Sequence, residues 1–245
     1  MAEEAGGIAP EPQKRPLASS SRERASDRKR RKKERAVASG KLTGGTPIII
    51  VPAAVTSVIT MFNALSLLQE GTFEDAQKAR DRLLGEGGAK PAQVLIVRKV
   101  STGERVRFRV IDNPSHLTER DWNKVVAVFT TGQAWQFRGW RWENPTELFH
   151  HVPGFNLIFS ENKAPETVRK WAVRVLRLDP FKAHKCRSTM EDFWRRVEDF
   201  MVTKRAFLIQ DVGLVDAKAK ARARAKEARG SGPAEEEEEV AEEAR

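Results

Sequence analysis

Residues 133–142 concentrate the side chain types that carry most binding energy at protein interfaces. Their sequence is QAWQFRGWRW, which holds three tryptophans and two arginines. Tryptophan offers a broad apolar surface, and arginine can hold a phosphate through two parallel hydrogen bonds. The stretch predicts a recognition site, and we assign Trp135, Arg138 and Trp140 to binding. The alternative is that Trp140 and Trp142 only wedge a helix against a sheet.

The same stretch follows directly after an apolar run, residues 125–129, that is typical of a strand buried on both faces. In an open parallel sheet, ligands bind at the carboxyl ends of the strands. Two basic residues, Arg120 and Lys124, precede this strand. We expect them to extend the recognition site as a basic rim.

The sequence does not arrange its residues for catalysis. The loop at 52–57, PAAVTS, stands where nucleoside triphosphatases place GxxxxGK[ST], but it contains neither glycine nor lysine. The chain has no G-x-S-x-G nucleophile motif, and its four histidines and Cys186 lack the spacing of a zinc site. We therefore expect a protein that is not an enzyme and has no cofactor or metal. A cryptic GTP- or GDP-binding protein, and an anion held at the N–H groups of Thr56 and Ser57, stay open as alternatives.

Hydrophobic periodicity predicts one α/β domain over residues 46–208, with a mostly parallel sheet flanked by helices. A β-branched run at 47–52 indicates a central strand. Alternation predicts a hairpin whose second strand carries Arg105, Arg107 and Arg109 on one face. The predicted strands are 47–52, 94–100, 105–110, 125–129, 155–159 and 171–178.

Capping residues and helical spacing predict the helices. One helix should run from Thr56 to Gly71, a second from Phe73 to Leu84, and a short one over 118–122. Asn144 should cap another, with Pro145 at its first position. Ser188 and Glu191 form a capping-box pattern at the start of the last helix, which should extend to Arg205.

Both ends of the chain are polar and charged. The net charge is +10, of which +6 falls in residues 1–45, +7 in 46–205 and −3 in 206–245. We expect a disordered basic arm at 1–45 and a charged low-complexity tail at 209–245 that includes five consecutive glutamates, 235–239. No apolar run is long enough to span a membrane. Two basic clusters in the arm match the spacing of a nuclear import signal, although a nucleic-acid-binding arm or a solvated charge run remain alternatives: Lys14, Arg15, Arg28, Lys29, Arg30, Arg31, Lys32 and Lys33.

Three segments together resemble the C-terminal domain of the parafibromin family, a subunit of the RNA polymerase II-associated Paf complex. They are PIIIVPAAVTSVITMFNAL at 47–65, RDWNKVVAVFTTGQAWQFRGWRWENPTELF at 120–149 and STMEDFWRRVEDFMV at 188–202. The resemblance implies a Ras-like (P-loop-NTPase-like) fold without a functional nucleotide site. It also implies a nuclear role in transcription elongation, with Lys124 and Trp135 at the family's basic and first aromatic site positions.

The resemblance further implies partners. They are Paf complex subunits, chromatin, and the phosphorylated C-terminal repeats of polymerase II and of its elongation factor. We therefore expect a non-enzymatic module that binds phosphorylated tails. Nucleic-acid binding by the basic arm and the arginine-rich hairpin, and a purely architectural domain, are the other hypotheses.

Overall fold

A six-stranded, mostly parallel sheet forms the centre of the molecule. The computed structural model describes residues 44–210, so the predicted import signal and most of the charged tail lie outside the described residues. The strand order is β2-β3-β1-β4-β5-β6, and β2 alone is antiparallel to its neighbour within this sheet. The predicted α/β class is confirmed. The strands are β1 (Ile48–Ile50), β2 (Val94–Lys99), β3 (Arg105–Ile111), β4 (Val125–Phe129), β5 (Gly154–Phe159) and β6 (Val173–Leu178).

Strand β1 lies between β3 and β4, and all three of its isoleucines are completely buried. Its side chains alternate between two apolar clusters, with Ile49 on one face of the sheet and Ile48 and Ile50 on the other. This strand was predicted to be central, because a continuous β-branched run is typical of a strand covered on both faces.

Helices and turns pack against the sheet. Within residues 44–210, none of these helices has both the length and the apolar character needed to cross a membrane. The α-helices are α1 (Ala76–Gly85), α2 (Glu119–Trp122), α3 (Pro145–His151), α4 (Glu166–Lys170) and α5 (Ala183–Lys204). A π-helical turn spans Ser66–Glu70, and 3-10 turns span Ala134–Phe137 and Ala206–Leu208.

The long helix α5 covers the first face of the sheet. Its buried stripe includes Phe193 and Trp194, which pack against Phe129 and Phe108 respectively. The Trp194 indole N–H donates a hydrogen bond of 2.8 Å to the carbonyl of Leu68. The predicted stripe of apolar residues on the last helix is thus confirmed as core.

The start of α5 differs from the prediction. The helix begins at Ala183, so Ser188 lies inside it and is not its cap, and the predicted capping box is wrong. Cys186 is buried in the core, which holds the additional first turn in place. Glu191 instead forms an ion pair with Arg98 of β2 at 2.6 Å.

Helix α4 was not predicted from the sequence at all.

The helix predicted from Thr56 to Gly71 is also mostly wrong. Residues 55–63 form turns and bends, and a π-helical turn follows at Ser66–Glu70. Gly71 does close this turn in the left-handed conformation, with φ of 68°, as its position indicated.

The side chain of Asn63 explains why this segment is not helical. It is completely buried, and its Oδ1 accepts a hydrogen bond of 2.8 Å from the N–H of Thr60. Its Nδ2 donates to the carbonyls of Val58 and Glu74, each at 2.9 Å. An asparagine that bonds nearby backbone groups competes with helical hydrogen bonds. Asn63 therefore fixes the path of the chain after β1.

We predict that Asn63→Ala lowers the free energy of unfolding by about 2–4 kcal/mol, because it leaves buried backbone groups without partners. Urea unfolding measures this change. Asn162→Ala is the matched control, since Asn162 is exposed and should change stability by less than about 0.5 kcal/mol. Equal stability of the two variants would contradict the assigned role of Asn63.

The short helix α2 is held by a complete capping box. The Thr118 hydroxyl accepts from the N–H of Asp121, and the Asp121 carboxylate accepts from Thr118. Lys124 also donates to Asp121 at 2.9 Å. The hydrogen bonds from Lys124 and Thr118 lower the pKa of Asp121 from 3.8 to about 2.

Because the pKa of Asp121 is lowered in the folded state, its ionised form stabilises the fold above about pH 4. This contribution is lost as the pH falls towards 2. We predict that Asp121→Asn costs about 1 kcal/mol at pH 7 and that the difference from the wild type disappears near pH 2. Urea unfolding at several pH values measures it, with exposed Glu161→Gln as the control. A difference that is independent of pH would contradict the prediction.

Candidate functional site

A cleft of about 280 Å³ opens at the carboxyl ends of β1, β3 and β4. Its floor is the chain that leaves β1, Val51 to Ala54. One wall contains Trp135 and Trp140, and the other contains Lys90 and Asp112. This edge of the sheet is where open α/β folds bind ligands.

The floor of the cleft is not built to hold a chain of phosphates. A phosphate-binding loop turns successive N–H groups towards its ligand, which requires left-handed residues. Within residues 44–210, positive φ occurs only at glycines, and none of these lies between residues 46 and 70. Ala53 and Ala54 line the cleft where a phosphate-binding loop would present its N–H groups.

The side chain of Gln136 fixes the position of the aromatic wall. Its Nε2 donates to the carbonyl of Phe129 at 2.9 Å, and its Oε1 accepts from Thr130 and Thr131, each at 3.2 Å. The next residue, Phe137, is completely buried beneath the turn. These two contacts anchor the 3-10 turn at the end of β4.

Trp135 is left pointing outwards by this arrangement. Its side chain is 57% exposed, although it lies between residues fixed on the sheet. Trp140 is half-buried and packs on Phe137 and Trp122, with ring centroids 5.1 and 5.8 Å apart. Trp142 packs on the same core without lining the cleft. Both Trp140 and Trp142 therefore pack on the core, as the alternative interpretation expected. Trp140 in addition lines the cleft.

Among the residues that line the cleft, Lys90 is the one cation, and Arg138 lies outside this lining. Lys90 is exposed but forms an ion pair with Asp112 across the wall. Arg138 is exposed at the end of the 3-10 turn, three residues after Trp135, and has no side-chain hydrogen bond or ion pair within residues 44–210. A guanidinium without such partners can hold a phosphate on a bound peptide.

The predicted basic rim lies elsewhere. Lys124 precedes β4 and Trp135 follows it, so a strand of five residues, about 16 Å, separates them. Lys124 is half-buried and paired with Asp121. Arg120 is exposed on α2. The structure therefore brings Trp135 and Trp140 together but does not bring Arg120 and Lys124 to the cleft.

Several cleft residues were not assigned from the sequence. The loop after β1 was considered only for a nucleotide phosphate motif and for an anion at Thr56 and Ser57, so Val51 to Ala54 were not assigned. Gln136 lies inside the aromatic stretch, and its amide could have indicated a residue that anchors the turn to the sheet. Lys90 lies in a glycine-rich loop that gives no signal. Across residues 44–210, no group of three or more His, Cys, Asp or Glu side chains could hold a metal ion.

Comparison with known proteins identifies the domain. The family described as "RNA pol II accessory factor, Cdc73 family, C-terminal" matches residues 43–200. Cell division cycle protein 73 of Caenorhabditis elegans is 34% identical over 175 residues, which are 71% of this chain and 33% of that protein. Protein CDC73 homolog of Arabidopsis thaliana is 34% identical over 169 residues, 66% of this chain and 40% of that protein.

A solved structure supports the same assignment. "The conserved domain of yeast Cdc73" is similar with a TM-score of 0.58 and 28% identity, covering 64% of this chain and 98% of that one. The Ras-like fold that the resemblance implied is thus confirmed. This chain spans only about a third to two fifths of the length of the curated relatives. On these grounds the chain belongs to the Cdc73, or parafibromin, family and contains the family's C-terminal domain.

Proposed function

We propose that this chain is a non-enzymatic module of the transcription elongation machinery. In this proposal the cleft beside Trp135 binds phosphorylated C-terminal repeats of RNA polymerase II or of its elongation factor, and this binding promotes association with chromatin. The chain acts in the nucleus and associates with Paf complex subunits. The family description, an RNA polymerase II accessory factor, supports this assignment of process.

The exposed indole of Trp135, on a turn that is anchored to the sheet, is the observation that carries the proposal. Trp135 exposes 57% of its surface to water, although Gln136 and Phe137 hold its backbone in place. A rigid aromatic anchor loses little conformational entropy when a peptide binds. Such residues are typical centres of peptide recognition.

Charge supports a phosphorylated ligand. The segment 46–205 carries a net charge of +7, and each phosphate on a flexible repeat brings about −1.5 to −2 charges at pH 7. Arg138 lies close to Trp135 in the chain, and Lys90 lies on the opposite wall of the cleft. A peptide that lies against the indole would place its phosphates within reach of these two cations.

We predict that Trp135→Ala weakens binding of a phosphorylated polymerase repeat peptide by about tenfold and removes its preference over the unmodified peptide. The melting temperature should change by less than about 2 °C, because the side chain is exposed. Fluorescence anisotropy and thermal unfolding of the full chain measure the two effects. Phe181→Ala is the matched control, since Phe181 is 93% exposed and lies outside the cleft.

Two results would contradict the proposal. If Trp135→Ala lowers the melting temperature by several degrees without changing the preference among peptides, the aromatic stretch is only architectural. If phosphorylated, unmodified and scrambled peptides bind equally and all binding disappears at moderate salt, the domain recognises charge alone, as a nucleic-acid-binding domain does.

We also predict that GTP and GDP with magnesium do not stabilise the chain. The loop 52–57 offers no lysine and no left-handed residue, so the melting temperature should rise by less than about 1 °C at 1 mM nucleotide. A nucleotide bound with a Kd of 10 µM would stabilise by about 2.7 kcal/mol at this concentration. A magnesium-dependent increase of several degrees would establish the nucleotide-binding alternative instead.

A further inference from the structure

Within residues 44–210, no helix lies over part of the second face of the sheet. The aromatic cluster around Trp122 and Phe137 covers β1, β4 and β5 on this side but leaves the hairpin of β2 and β3 bare. Leu95 and Val97 of β2 are 46% and 39% exposed there. We call this surface the hairpin face: Leu95, Val97, Lys99, Arg105, Arg107 and Arg109.

The hairpin face is strongly basic. The strand register places Leu95 beside Arg109, Val97 beside Arg107, and Lys99 beside Arg105. Within residues 44–210, none of the three arginines forms an ion pair with an acidic side chain. An anionic ligand could therefore bind these guanidinium groups without breaking an existing ion pair.

A depression of about 330 Å³ lies at the end of the hairpin face nearest β1, where Arg107, Arg109 and Lys124 meet. The single acid that lines it, Asp121, is held by Lys124. The Nε of Arg109 is buried and has no hydrogen-bond partner in the described part of the chain. A carboxylate can bind a guanidinium group through parallel hydrogen bonds.

The character of the hairpin face favours an acidic peptide over other anions. It exposes aliphatic side chains between arginines but no aromatic ring, so single-stranded bases would find nothing on which to stack. The outer edge of β2 is occupied in part, because the N–H of Val97 donates to Gln69 Oε1 at 2.8 Å. A ligand would therefore lie across the face rather than add a strand to the edge.

Contacts near both ends of the described region connect its last residues to Lys124, which lines this depression. Leu208 and Ile209 are completely buried, and Phe207 lies against Gly44. The next residue, Gly45, lies against the Lys124 side chain. The last described residue, Gln210, follows directly after this contact.

The acidic segment of the tail, residues 235–243, has the sequence EEEEEVAEE, seven glutamates with one valine and one alanine. Residues 211–234 separate it from Gln210, and the root-mean-square end-to-end distance of a random coil of this length is about 25–30 Å. The two strands of the hairpin have six and seven residues, and each strand is shorter than this span. A tethered ligand of this kind has an effective concentration on the order of millimolar.

We infer that the acidic segment 235–243 docks on the hairpin face of its own chain. Its carboxylates pair with Arg105, Arg107 and Arg109, and Val240 lies against the exposed aliphatic side chains of β2. In this state the tail covers the basic face and excludes other polyanions from it. This inference does not depend on the proposed function of the cleft at Trp135.

The test uses the full chain and a neutral-tail variant, in which Glu235→Gln, Glu236→Gln, Glu237→Gln, Glu238→Gln and Glu239→Gln are combined. A labelled peptide of residues 233–245 is titrated against both chains by fluorescence anisotropy. If the free peptide binds with a Kd of about 0.1 mM, the tethered segment should weaken its apparent affinity for the wild type about tenfold relative to the neutral-tail variant. Adding Arg107→Gln and Arg109→Gln to the neutral-tail variant should abolish peptide binding.

The matched control adds Arg169→Gln and Lys170→Gln instead, because both residues are exposed on α4, outside the hairpin face. Equal peptide affinity for wild type and neutral-tail variant would overturn the inference, and this comparison leaves the folded domain unaltered. Peptide binding that survives loss of Arg107 and Arg109 would also overturn it, since the segment would then bind the basic tract at 217–229. A single-stranded oligonucleotide that binds both chains equally at the hairpin face would show that the tail does not cover it.

Discussion

Strand β1 is paired on both edges and packed on both faces, and the positions of both candidate surfaces depend on this constraint. Three completely buried isoleucines require an apolar layer above and below the sheet. The chain can turn away from the sheet only beyond the two ends of β1. Its carboxyl end becomes the floor of the cleft, and Asn63 fixes the chain that follows. The amino end receives Lys124 and the contact between Gly44 and Phe207.

The two layers differ in extent, and this difference separates two kinds of surface. Helix α5 closes the first face, whereas the aromatic cluster on the second face ends before the hairpin. The cleft is therefore an aromatic surface with few free cations, and the hairpin face is an aliphatic surface rich in arginine. A phosphorylated repeat suits the first, because one indole anchors it and few cations orient it. A run of carboxylates suits the second.

Much of the fold could be predicted from the sequence, because strand periodicity and caps such as Asn144 are local signals that tertiary contacts here reinforce. The region around Asn63 could not, since its amide bonds the carbonyl of Glu74, eleven residues away. The first turn of α5 depends on burial of Cys186, a contact without a local pattern. At the site, Trp135, which the aromatic stretch assigned to binding, is exposed and lines the cleft. Lys124 and Trp135 were grouped although they flank opposite ends of one strand.

The central claim is that the cleft beside Trp135 receives phosphorylated peptides. Each of the six tryptophans carries an indole N–H group whose NMR signal, once assigned, reports on its ring during a titration of the full chain with a phosphorylated polymerase repeat. The account predicts a large shift for Trp135, a smaller one for Trp140 at the same cleft, and none for buried Trp194. Binding that leaves the Trp135 signal unchanged while it shifts backbone signals of the hairpin face would contradict the account.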